Sequence, residues 1–227
     1  VLMQEEGGKA EQIEYLPTGL TEQVETLVKA EDFSFAYKSI KSFTQVISGR
    51  VQNVILLGAG NKDLLTADKL RSLIAQALRQ AARMKAKQIF LFPGFIGPVN
   101  DVAFGHVLAE TALLVSYRFG KYQSSEKQST EMESLHYVLN TKNTRHLNRG
   151  ILEGRIYAEA TNLARDMVNE PANVLNPETL AETAKKAALQ YGFSVDIYSY
   201  DKLKRMKMDA FLAVGRGSAR EPRLIIM

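Results

Sequence analysis

Three carboxylates pose the first chemical question. Asp166, Glu170 and Glu178 stand close together in the sequence, and paired carboxylates can hold a divalent ion or share general acid and base work. Their surroundings favour a quieter role. Asp166 and Glu170 lie one helical turn apart where a helical pattern ends, with Arg165 beside them, a spacing suited to local ion pairing. Glu178 falls in the first turn of the next helical pattern, where a negative charge complements the helix dipole. Structural roles outweigh catalytic ones at all three. The chain has no cysteine, so thiolate chemistry and disulfides are excluded, and a metal site would need His, Asp, Glu or Lys. The histidines, His106, His136 and His146, are far apart and form no H-E-x-x-H pair. That favours structural or exposed roles, although folding can bring a lone histidine into a site. No Ser–His–Asp or lysine-based nucleophile can be assembled.

Two glycine turns could cradle an anion. Gly58-Ala59-Gly60 follows a strand pattern and precedes a helical one, the setting of a dinucleotide fingerprint. That fingerprint needs a third small residue where Asp63 stands, and an acidic residue about 20 positions on, whereas Leu78–Lys87 contains none. A structural turn is the stronger reading. Gly215-Arg216-Gly217-Ser218 could form a nest of backbone N–H groups, but reads first as a strand-exit turn. The densest basic run, Lys202 to Lys207, has no aromatic interleaving and reads as a solvated helix face.

The elements that must position these residues follow from periodicity. Residues 1–20 read as an edge strand or loose lead-in. Thr21 is an N-cap candidate for a short helix through Val24, Leu27 and Val28. Phe33–Tyr37 and Phe43–Ile47 alternate like half-buried strands, and Val51–Gly58 is a buried-strand signature. Thr66 caps a long helix whose Leu70, Leu73, Ile74, Ala77, Leu78, Ala81 and Met84 form one core-facing stripe. Lys87–Phe92 is the next strand, so strand, helix and strand predict a βαβ unit with a parallel pair. Pro98–Leu114 is a further helix carrying Val102, Val107, Leu108 and Ala112 inward. Lys121–Glu133 reads as an exposed loop, and Leu135–Leu139 as a strand.

From Thr144 a helical pattern runs to Val168, with Leu152, Ile156, Ala160, Leu163 and Met167 as its expected buried face. Gly150 and Gly154 inside it each cost about 1 kcal/mol against Ala. Their small size would let a neighbouring backbone come close. Asn176 and Pro177 then open a second helix that carries Leu180, Ala184, Ala187, Ala188 and Tyr191 and ends at Gly192. A strand (Phe193–Tyr198), a short basic helix near Lys202–Met206, a strand (Ala210–Val214) and a last strand (Arg223–Met227) follow.

An apolar fraction of 45% and a charged fraction of 24% are ordinary for a globular protein, and the net charge of +4 permits anionic partners without demanding them. No run approaches a membrane span of roughly 18 apolar residues. The N-terminus lacks a basic-then-apolar signal pattern, so a cytosolic protein is expected, without membrane partners. A start on Val1 and an end inside the apolar run Leu224–Met227 lead us to expect a fragment of a longer protein.

Asn162–Asp166, followed by Asn169-Glu170-Pro171-Ala172-Asn173 and Asn176-Pro177, resembles the N-L-A-R-D-L-V-N-E-P-A-N-x-x-T-P segment of the leucyl (cytosol) aminopeptidases. Met167 replaces a Leu and Asn176 a Thr. Downstream, Met208–Ser218 and Glu221–Leu224 resemble that family's G-M-x-A-x-L-A-V-G-x-G-S and P-R-L stretches, with Lys207 where Gly is usual. The resemblance is specific over Gly150–Met227 and looser upstream.

What the resemblance implies is an α/β fold. A three-layer, macro-domain-like N-terminal domain with a mixed sheet occupies 1–140, a linker helix 141–168, and the truncated start of an α/β peptidase domain 169–227. It also implies a metal-dependent aminopeptidase that releases N-terminal residues such as leucine from peptides, using two divalent ions (Mn or Zn), and hexameric at full length. The family's ligand segments, K-G-x-x-x-D and N-T-D-A-E-G-R, do not occur here. No catalytic, metal-binding or cofactor-binding residue is therefore assigned, no metal is expected in this fragment, and the fragment alone is expected to be inactive. The alternative readings are a nucleotide- or nucleic-acid-binding α/β module and a non-catalytic regulatory subunit.

Overall fold

Apolar residues at successive positions mark the strand that organises the N-terminal part of the chain. In β3 (Arg50–Gly60) every residue from Val54 to Gly60 is buried, because both faces of the strand are covered. Val54 and Leu56 pack with Leu20, Val24, Phe33 and Phe35. Ile55, Leu57 and Ala59 point the other way into a larger cluster. The computed structural model describes residues 1–5, 19–30, 33–47, 49–93, 99–124, 132–138 and 144–227. They fall into two compact units, Val1–Asn162 and Leu163–Met227.

The first unit is the expected α/β arrangement on a mixed sheet. Its strands β1 (Leu2–Glu5), β2 (Ile40–Ile47), β3, β4 (Gln88–Pro93) and β5 (Ser134–Tyr137) lie in the order β2-β3-β1-β4-β5. Only β2 runs antiparallel to its neighbour. One correction concerns the N-terminus. Residues 2–5 form a central strand rather than an edge, pairing with β3 on one side and β4 on the other. The expected parallel pair of β3 and β4 is thus separated by β1. Four residues are too few to show a strand period; Met3 within it is fully buried.

Helix α1 (Leu20–Lys29) covers one face of the sheet, and its N-cap is Gly19 (φ 87°), two residues before the expected Thr21. On the other face lie α2 (Ala67–Arg83) and α3 (Asp101–Ser116). Thr66 caps α2 by accepting from the Lys69 amide at 3.3 Å, and Asn100 caps α3 by accepting from Ala103 at 2.9 Å. The α2 stripe is buried as expected from Leu70 to Ala81, with Met84 half-buried. In α3, Val107, Leu108 and Ala112 turn inward together with Phe104, fully buried and absent from the expected stripe. Phe33–Tyr37 is irregular rather than a strand, because its backbone crosses the end of β3. Gly58 donates to Ser39 O at 2.8 Å, and Gly60 to Phe35 O at 3.0 Å. Within Lys121–Glu133, residues 121–124 and Glu133 are exposed and Met132 is half-buried; 125–131, Leu139 and Asn140 lie outside the described residues.

In α4 (Arg145–Asn169) the buried face of the first part is the opposite of the expected one, whereas the expected Leu163 and Met167 are half-buried. Leu147, Gly150, Gly154 and Ala158 are buried, whereas Leu152 and Ile156 are 62% and 65% exposed. The two glycines explain the reversal. A Cβ on Gly150 would overlap the Val102 carbonyl, one on Gly154 the His106 carbonyl, and one on Gly105 the Leu147 carbonyl. Helices α3 and α4 therefore meet backbone to backbone, as anticipated for those glycines. Hydrophobic periodicity cannot find a face built from the smallest residues.

In the second unit Asn176 accepts from the Glu178 and Thr179 amides, and Thr179 Oγ1 accepts from the Asn176 amide at 2.9 Å. This reciprocal box opens α5 (Pro177–Tyr191), which ends at Gly192 with φ 76°. Then come β6 (Asp196–Tyr198), α6 (Tyr200–Arg205), α7 (Asp209–Val214) and β7 (Leu224–Ile226), with β6 and β7 antiparallel. The expected strand at Ala210–Val214 is the helix α7. Of its alternating apolar residues only Leu212 is buried, and Val214 is 89% exposed, so no sheet face selects the extended form. Helices α2 and α6 both end on a lysine in the left-handed region, Lys85 and Lys207, each with φ 55°. In α6, Lys207 donates to Lys204 O and Met208 to Leu203 O, the Schellman pattern.

Candidate functional site

In the first unit the N-terminal turns of α2, α3 and α4 open onto a cleft of about 720 Å³. Asn100, which caps α3, lines it with Arg71 from α2, His106 from α3, and His146, Arg149 and Glu153 from α4. Arg71 Nε donates to Glu110 at 2.8 Å and its Nη1 to Asp68 at 2.7 Å. The hydrogen bond to Glu110 leads in raising the Arg71 pKa above its usual value. His106 Nε2 lies 3.8 Å from Glu110, and its ring 5.2 Å from that of Tyr157. Arg149 takes Glu153 at 2.9 Å. Folding thus joins two histidines that the sequence keeps apart, and no periodicity signals it. The two arginines of the cleft are nevertheless each paired with a carboxylate. Among the described residues no group of three His, Asp or Glu could hold a metal ion.

The remaining sequence candidates fall elsewhere. His136 on β5 is exposed, stacked on Phe90 at 4.6 Å between centroids and 3.0 Å from Ser134 Oγ. Gly58 and Gly60 cannot bind a phosphate, because residues 35–39 occupy their amides and the space above them. The fingerprint glycines serve close packing, in line with the structural reading. Around Gly215–Ser218, the amides of Gly215, Arg216 and Ser218 donate to Leu212, Ala213 and Gly215 carbonyls. A nest needs those amides turned outward. Asp166 lies in the last turns of α4, Glu170 just beyond it, and Glu178 in the first turn of α5; they form no metal cluster among the described residues. The basic run falls on α6 and the turn after it, and Lys202 Nζ sits 3.5 Å over the Tyr198 ring, a cation–π contact.

What no single site decides, the order of segments does. Residues 1–126 match the profile of the cytosol aminopeptidase family's N-terminal domain, and residues 162–227 that of the family's catalytic domain. The chain belongs to the cytosol aminopeptidase family. A probable cytosol aminopeptidase of Clostridium perfringens is 34% identical over 211 residues, 92% of this chain and 43% of that one. One of Aquifex aeolicus is 37% identical over 175 residues, 77% of this chain and 34% of that one. The chain thus spans less than half the length of these relatives. Among solved structures, a tomato leucine aminopeptidase mutant superposes with a TM-score of 0.76 at 24% identity, covering 99% of this chain and 46% of that one. The bottromycin maturation enzyme BotP in complex with Mn gives 0.74 at 24% identity, covering 99% and 43%. At those identities the likeness establishes the fold.

One family departure acquires a physical meaning. Lys207, where glycine is usual in the resembling segment, holds φ 55° at the end of α6. Glycine adopts that conformation without the Cβ penalty that lysine bears.

Proposed function

We propose that this chain is the N-terminal scaffold and the opening segment of the catalytic domain of a metal-dependent aminopeptidase. The whole enzyme releases N-terminal residues such as leucine from peptides, works in the cytosol and assembles as a hexamer. The observation that carries the reading is the match to both family domains, in order, along one chain. Two divalent ions would polarise the scissile carbonyl and supply a hydroxide nucleophile; manganese is the ion named with BotP. The described residues do not fit such a pair of ions, since no three potential ligands converge among them. The ligands belong to segments of the K-G-x-x-x-D and N-T-D-A-E-G-R type, which this sequence lacks. Leu163–Met227 supplies helix caps and a two-stranded ladder, and leaves Val168, Leu189 and Val214 more than four-fifths exposed. That surface supports a domain completed by further chain.

The test is the coding sequence that follows Met227. Both ligand segments in the same reading frame are the expected result. An uninterrupted frame that contains neither would overturn the proposal.

A further inference from the structure

The C-terminal halves of α2 and α3 enclose a second groove in the first unit, of about 590 Å³. Arg79, Arg83 and Arg118 line it, and no carboxylate does among the described residues. Arg71, Arg149 and Arg155, on α2 and α4, each take a carboxylate within 2.9 Å. Arg79 and Arg83 stand four positions apart on α2, hence on one helix face, and take no ion-pair partner among the described residues. Arg118 follows α3, and its Nη1 is anchored by the Val115 and Tyr117 carbonyls at 3.2 and 2.9 Å. The nearby Lys87 and Glu133 neutralise each other at 2.8 Å. Below the guanidinium groups the floor is apolar, with Leu78 and Ile89 buried and Val115 and Met132 half-buried.

A bare basic helix face is solvated and needs no ligand. A concavity that gathers three cations over an apolar floor, with no carboxylate among the described residues of its lining, is different. Guanidinium forks match oxyanions bidentately. A volume of a few hundred cubic ångströms suits a small organic ligand rather than a lone ion. We infer that this groove binds a small phosphate monoester, with the phosphate held by Arg79, Arg83 and Arg118 and an apolar body resting on Leu78 and Ile89. The inference is independent of the aminopeptidase reading, because it rests on the first unit alone.

Titration calorimetry of the full chain with phenyl phosphate tests it. Saturable one-to-one binding is expected, tighter than that of pyrophosphate, which has no apolar body. Arg79→Gln/Arg83→Gln is expected to weaken it about tenfold or more. Both side chains are exposed, and an unchanged melting curve will show that this variant folds. Lys185→Gln/Lys186→Gln removes the same charge from α5 and leaves the affinity within about twofold. Absence of saturable binding, equal losses in the two double variants, or pyrophosphate binding as tightly would each overturn the inference. So would a single-stranded oligonucleotide that displaces phenyl phosphate with a steep salt dependence, since it would make the groove a nucleic-acid surface.

Discussion

Unit 1 (Val1–Asn162) buries leucine, isoleucine and phenylalanine on both faces of its sheet, whereas the core of unit 2 (Leu163–Met227) consists of Ala181, Ala184, Ala188, Leu203 and Leu212. A buried leucine contributes roughly 2 kcal/mol and a methyl about 0.8, so the two units differ more in stability than in length. Yet the segment that most specifically resembles the family lies largely in the weaker unit. Its signature residues, from Asn162 to Pro177, make a helix end, a turn and a cap. Recognition and stability are carried by different parts of this chain.

The strongest way to break this contrast is to attack the backbone-to-backbone seam of unit 1. Gly150→Val places side-chain atoms against the Val102 carbonyl and is expected to cost about 4 kcal/mol, read by urea denaturation followed by circular dichroism. A loss below about 1 kcal/mol would mean that α3 and α4 do not depend on the seam. Core truncations come next. Leu73→Ala should cost about 3 kcal/mol in unit 1 and Leu203→Ala about 2 kcal/mol in unit 2. Calorimetry should resolve the second loss in a separate, lower transition. A single transition shifted equally by both would erase the contrast.

Tyr137 gives a smaller and pH-dependent effect. Its hydroxyl is buried without a hydrogen-bond partner among the described residues. Burial, aided by the charge of Asp101, pushes its pKa well above the usual 10. The folded state therefore holds this proton more tightly than the unfolded state does. The resulting stability is complete below about pH 10 and is lost as the pH rises above it. Tyr137→Phe should stabilise unit 1 by about 1 kcal/mol at neutral pH and flatten its alkaline melting curve, and an unchanged alkaline slope would refute this. Smallest is Lys207→Gly, expected to raise the stability of unit 2 by about 0.5–1 kcal/mol by relieving its left-handed backbone. A lower melting temperature for that variant would contradict the backbone account.

Much of this architecture was legible from residue types. The α2 stripe, the Thr66 and Asn176 caps, Gly192 at the end of α5 and the buried strand β3 all follow local rules, and each is where the rules put it. Failures came where a neighbour overrode the local pattern. Gly150 and Gly154 set the buried face of α4 against its leucine and isoleucine, β1 inserted between β3 and β4, and α7 replaced a strand for want of a sheet to join. Neither the cleft at the helix N-termini nor the arginine groove could be read in advance. Arg71, His106 and His146, like Arg83 and Arg118, become neighbours only through the packing of α2, α3 and α4.

Hydrolysis of leucine amide with added manganese, measured on this chain and on the polypeptide extended by its downstream coding sequence, tests the central claim most directly. The account predicts metal-dependent turnover by the extended polypeptide and none by residues 1–227 alone. Metal-dependent turnover by residues 1–227 alone, or its absence from the extended polypeptide, would contradict it.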